Sequence, residues 1–100
     1  TSPKRLSNLP DVPTLSESGL TGYDSTGWFG LVAPTGTPPQ IIQRLHAEFT
    51  AALNDESIKS QMRQNGMEPI ATSIEGFDSY IKSETQKWAK VIKQANIKLN

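Results

Sequence analysis

The chain has no cysteine and a single histidine, and its ten Lys and Arg cancel ten Asp and Glu. Without cysteine there is no disulfide and no thiolate chemistry, although the compartment stays open, because such a chain is equally at home in cytosol or periplasm. A neutral balance leaves no global field to draw nucleic acid or an anionic membrane, and the seven aromatics are not interleaved with basic clusters. The longest apolar run, Trp28 to Ala33 with Gly30 inside it, is far short of the roughly 20 residues that a membrane helix needs. The chain opens at Thr1 with no basic-then-apolar export signal, which reads as a processed or truncated chain.

Catalytic and metal chemistry lack their parts. His46 lies in the middle of a helical pattern beside core positions, where a packing or surface role is the better reading. No second His, no Cys and no close carboxylate pattern joins it at ligand spacing, so neither a metal nor a cofactor is expected. Gly19, Gly22, Gly27 and Gly30 are scattered and precede an apolar run, whereas a phosphate cradle follows a strand and opens a helix.

What is present is an ordered series of structural signals in 100 residues, enough for one domain with a modest core. Pro3, Pro10 and Pro13 make residues 1–13 an extended lead-in. Thr14 and Glu17 have capping-box spacing and Gly19 a stop, which predicts one short helical turn. Trp28, Phe29, Leu31, Val32 and Ala33 run without polar alternation, the pattern of a strand covered on both faces. Gly27, Gly30 and Pro34 argue against a buried helix there. Such a strand needs neighbours, and the chain offers few.

Three amphipathic helices follow. The first is expected to be capped by Thr37, with Pro38 and Pro39 at its first positions, Gln40 completing a box, and a stripe of Ile41, Ile42, Leu45, Phe49, Ala52 and Leu53. Asn54 or Asp55 caps a shorter helix with Ile58 and Met62 inward, stopped at Gly66 in the left-handed region. After the brief extended piece at Met67–Ile70, Thr72 and Glu75 form another box that opens the longest helix. Its stripe is Ile74, Phe77, Ile81, Trp88, Val91, Ile92 and Ala95. Trp28 and Trp88 both sit in apolar patterns, so core packing outweighs a stacking platform. The lysines at 82, 87, 90, 93 and 98 read as a solvated face, with Asp78 and Glu84 placed to pair Lys82 and Lys87.

Taken together, Leu9–Leu20 (LPDVPTLSESGL), Trp28–Ile42 (WFGLVAPTGTPPQII) and the closing Phe77–Lys98 (FDSYIKSETQKWAKVIKQANIK) resemble one pattern. It is that of the C-terminal third of the tripartite tricarboxylate transporter substrate receptors, the Bug or TctC-type family. The resemblance covers nearly the whole chain. It implies an α/β fold, the C-terminal fragment of a two-lobed periplasmic binding protein of the type II, Venus-flytrap class, mostly helical here with one central strand.

On that resemblance residues 1–23 end the second lobe, residues 24–34 are the strand crossing the hinge, and residues 35–100 complete the first lobe with helices. It implies a periplasmic receptor that captures a small di- or tricarboxylate and delivers it to membrane permease subunits, with no catalysis and no nucleic acid. Most cleft residues would lie outside this chain. Within it the ligand-binding candidates are Ser25 and Thr26, just ahead of the strand, and Trp28 as a wall, against the plainer role of shaping the hinge. A severed strand is expected to make the fragment self-associate. The competing reading is a small stand-alone helical interaction module, since three capped amphipathic helices can make a compact core.

Overall fold

A computed structural model describes residues 1–98. Among the described residues there are three helices, α1 (Pro39–Asn54), α2 (Glu56–Gln64) and α3 (Ile74–Gln94). The chain divides into two compact units, Thr1–Ile70 and the part from Ala71 onward.

In the first unit α1 and α2 touch and share one corner residue. Asp55 ends α1 by donating its N–H to the carbonyl of Ala52 at 3.1 Å, and its carboxylate starts α2 by accepting from the amides of Ser57 and Ile58 at 3.0 and 3.1 Å. An acidic cap suits this position because it meets orphan amides and the positive end of the helix at once. At the far end Gly66, at φ +72°, closes α2: its amide reaches Arg63 and the next amide, Met67, reaches back to Met62. The expected stop at Gly66 is therefore present, and of the two candidate caps Asp55 serves.

The lead-in is not extended. Leu9 N–H bonds to Leu6 and Val12 N–H to Leu9, so two turns follow each other before Pro13. Thr14 and Glu17 form the reciprocal box: Thr14 N–H donates to Glu17 Oε2 at 2.8 Å, and Glu17 N–H to Thr14 Oγ1 at 3.1 Å. Only a turn over residues 15–19 results, because Gly19, at φ +111°, lets Leu20 N–H bond back to Leu15. The lead-in is tied to the end of α2 through the Ser7 hydroxyl, which donates to Glu68, and Asn8 Nδ2, which donates to the carbonyl of Arg63 at 3.2 Å.

Two expected caps are displaced. Thr37 does not cap α1; both its amide and its hydroxyl donate to the carbonyl of Pro34, at 3.2 and 2.8 Å, closing a turn through Gly36 at φ +87°. Pro38 holds the cap position with no side-chain bond. In the second unit Ser73, not Thr72, caps α3, accepting from the Gly76 amide at 3.0 Å. The C-terminus of α3 repeats the closure of α2, with Asn96 at φ +51° and Ile97 N–H reaching Ile92 at 3.1 Å. The pairs foreseen along α3 are made, Asp78 to Lys82 and Glu84 to Lys87, each at 2.6 Å. Glu84 is buried, and Trp88 Nε1 also donates to it, at 3.0 Å.

The largest correction concerns the strand. Among the described residues no strand forms, and the run from Tyr23 to Pro34 has neither turn nor bend. Phe29 is 92% exposed, Val32 81%, Leu31 66% and Trp28 40%. The run is unbent, yet among the described residues no second strand stands beside it to form a ladder. The helical stripes fare similarly: no apolar side chain is buried among the described residues. Trp88 is part-exposed rather than a core residue. A stand-alone module would need such a core, so that reading loses its physical basis.

Candidate functional site

The site candidates fall where the unbent segment leaves the first unit's turns. Asp24 organises them through one oxygen, Oδ1, which accepts from Thr26 N–H at 3.1 Å and from Thr26 Oγ1–H at 2.6 Å. This is the turn that an Asp two residues ahead of a hydroxyl residue readily makes. Both Thr26 donors are therefore engaged, and toward any third group Thr26 offers only hydroxyl lone pairs. Ser25 N–H donates to the carbonyl of Thr1 at 3.1 Å, which fixes its backbone and leaves the side chain as its recognition group.

Thr26 and Gly27 line an open cleft of about 290 Å³ together with Lys4, Arg5, Leu9, Thr14 and others of the lead-in. That volume is at the small end of ligand sites. Its firmest wall is a clamp around Arg5. The guanidinium Nε donates to both oxygens of Glu17, at 3.1 and 3.0 Å, and Nη1 donates to the carbonyl of Pro10 at 2.9 Å. Hydrogen bonds from Arg5 and then from the Thr14 amide hold the Glu17 carboxyl down at about 2. The Arg5 group is raised above its ordinary value by the same hydrogen bond and charge. Glu17 neutralises Arg5, which leaves Lys4 as the other basic side chain of the lining.

Of the three residues singled out from the sequence, the structure brings Thr26 to this cleft and leaves Ser25 and Trp28 outside its lining. Ser25 is half-buried, and Trp28 stands at the start of the exposed apolar row. Asp24 was missed, although the Asp-Ser-Thr spacing signals its turn. Arg5 and Glu17 lie twelve residues apart, and nothing local in the sequence announces their pairing. His46 is half-buried on α1.

The model of the tripartite tricarboxylate transporter family receptor matches residues 1–97. The chain belongs to this receptor family. Among its relatives, a UPF0065 protein from the tcbD-tcbE intergenic region of Pseudomonas sp. is 35% identical, over all of this chain and 30% of its own length. Two solved structures of the family's fold superpose well. Rpa4515 of R. palustris, solved with adipate, gives a TM-score of 0.84 at 35% identity, over 97% of this chain and 32% of its own. The periplasmic binding protein BugD gives 0.82 at 34% identity, over 98% and 33%. The chain thus spans about a third of the length of these three proteins. It is a helical part of a periplasmic binding protein fold.

Proposed function

We propose that this chain is the part of a periplasmic solute receptor that spans the hinge and completes one lobe, in a protein that captures small carboxylates for a tripartite transporter. The observation that carries this reading is the family match over residues 1–97. Support for the ligand class comes from Rpa4515, a structural neighbour solved with adipate. Residues 1–23 are assigned to the end of the second lobe, 24–34 to the hinge crossing and the helices to the first lobe. The unbent course of residues 23–34, with no strand assigned beside it among the described residues, supports that division.

In this reading catalysis is absent and capture is a binding event, completed by delivery to permease subunits. Ser25 supplies a hydroxyl donor to a ligand carboxylate and Trp28 a wall. Thr26, with its donors held by Asp24, fixes the approach to the hinge.

The test is thermal unfolding of a receptor of full family length carrying this sequence, against a panel of dicarboxylates and tricarboxylates. A bound ligand at 100 times its Kd adds about 2.7 kcal/mol, several degrees of Tm for a protein of that size. This chain alone is expected to gain nothing measurable, since most of the cleft is elsewhere. A full-length receptor whose Tm ignores the whole panel overturns the ligand assignment.

A further inference from the structure

The end of α2 carries the one asparagine that a glycine follows. Asn8, Asn54 and Asn96 precede Leu9, Asp55 and Ile97, whose side chains crowd their own amide nitrogens, whereas Gly66 has no side chain. In an Asn–Gly pair the glycine nitrogen can therefore attack the asparagine side-chain carbonyl and close a succinimide ring. Asn65 and Gly66 are both exposed, and nothing lies within 4 Å of where a Cβ on Gly66 would stand, so water reaches this peptide bond.

The folded turn blocks that attack. Asn65 has ψ +13°, whereas ring closure needs its Cβ to eclipse the Gly66 nitrogen, roughly a third of a turn away. Asn65 Nδ2 donates to the carbonyl of Gln61 at 2.8 Å, which holds the side chain back along the helix. The Gly66 N–H donates to the carbonyl of Arg63 at 3.0 Å, so the nucleophile keeps its proton. Rotating Asn65 breaks that bond and the one from Met67 N–H to Met62. The same turn is strapped from outside by the lead-in. Asn8 Nδ2 donates to the Arg63 carbonyl at 3.2 Å, the Ser7 hydroxyl donates to Glu68, and Arg63 Nε reaches Glu68 Oε2 at 3.3 Å. Residues 7 and 8 thus grip the chain on both sides of Asn65–Gly66.

We propose that Asn65–Gly66 is a deamidation site that Ser7 and Asn8 hold closed, so that the chain is modified there when its lead-in lets go of the end of α2. Once the turn opens, the Gly66 nitrogen gives its proton to hydroxide and bonds to Asn65 Cγ. The Cγ–Nδ2 bond breaks, and Nδ2 takes a proton from water and leaves as ammonia. Water then opens the imide at either carbonyl, leaving aspartate or isoaspartate; water and hydroxide are the only co-reactants. The product does not reclose as before. Either form replaces the donor to Gln61 with a carboxylate at the negative end of α2. Isoaspartate also lengthens the main chain by a methylene, which moves the Gly66 and Met67 amides off their carbonyls. The chemistry is independent of any ligand, so it stands or falls apart from the receptor reading.

The experiment incubates a receptor of full family length carrying this sequence at mildly alkaline pH, and follows the tryptic peptide of residues 64–82 by mass and by isoaspartate content. Unfolded in urea, Asn65 should react ahead of Asn8, Asn54 and Asn96, giving a peptide about 1 Da heavier. Folded, it should react at least about tenfold more slowly, because the rate follows the population of the opened turn. Replacing both Ser7→Ala and Asn8→Ala should raise the folded rate at least about fivefold, since two bonds that close the turn are gone. Arg44→Ala, remote from the turn, should leave the rate unchanged. An unfolded chain that spares Asn65 overturns the site. A folded double variant that reacts no faster than its parent, or an Arg44→Ala protein accelerated as much, overturns the role of the lead-in. Should the double variant lose its helices by circular dichroism, Glu68→Gln takes its place, and a folded rate equal to the parent's again overturns the proposal.

Discussion

The Arg5–Glu17 clamp and the run from Tyr23 to Pro34 lie within a few residues of each other and are opposites. In the clamp the guanidinium, the carboxylate, the Pro10 carbonyl and the Thr14 amide and hydroxyl all meet partners within residues 5–17. Along the run, aromatic and branched side chains stand in water and no ladder forms. Hydrogen bonds of turns and caps close over short spans of chain, so a third of a receptor can complete them by itself. Apolar burial and strand pairing are contacts at long sequence separation, and they fail when the separated part is elsewhere.

The sharpest way to break this contrast is Phe29→Asp. In the chain alone, where Phe29 is already solvated, helicity and stability should change by under about 0.5 kcal/mol, as for an ordinary surface substitution. In a polypeptide of full family length the same change should cost at least about 3 kcal/mol in chemical denaturation, from loss of a buried aromatic and burial of a charge. Equal effects in both settings would show that the segment is never covered.

Caps should behave alike in both settings, because their partners are local. Asp55→Ala removes the acceptor for the Ser57 and Ile58 amides and should cost about 1 kcal/mol, read as lost helix by circular dichroism. Ser73→Ala should act similarly at the start of α3, while Thr37→Ala, which caps nothing, should leave the helicity of α1 unchanged.

The clamp also sets a pH dependence. The folded Glu17 carboxyl lies at about 2, below its ordinary 4.5, held there first by the Arg5 hydrogen bond. A depressed carboxyl contributes stability that is complete above the ordinary value and is lost as pH falls through the folded one. The Thr14 amide should therefore stay protected at pH 5 and lose protection between about pH 4.5 and 2. A Glu17 carboxyl shift titrating near 4.5 would mean that the clamp is open in solution. Glu68, lowered chiefly by the Ser7 hydroxyl, moves in the same direction. The smallest effect is expected at the exposed Arg44–Glu48 pair, 2.7 Å apart: Arg44→Ala should cost no more than about 0.5 kcal/mol and less still in high salt.

The positions where reading the sequence fell short follow the same division. Thr37 has the spacing of a cap but faces two prolines, and its hydroxyl and amide turn back to Pro34 instead. Asp24, which accepts from the amide and the hydroxyl of Thr26, was not singled out at all. The stripe on α1 has the period of a buried face, but period states only which side can be buried, not whether anything lies there.

By itself, the sequence determined whatever is written in spacings of a few residues: three helices, the stops at Gly19 and Gly66, the Thr14–Glu17 box, the lysine-bearing face of α3 and the family's order of blocks. The tertiary structure alone decided that Arg5 reaches Glu17, that Ser7 and Asn8 fasten the lead-in to the end of α2, and that Trp28–Val32 remain uncovered. The physical reason is range. Backbone hydrogen bonds and caps are settled within a turn or two of the chain, whereas the burial of an apolar face depends on which other surfaces the folded polypeptide brings to meet it.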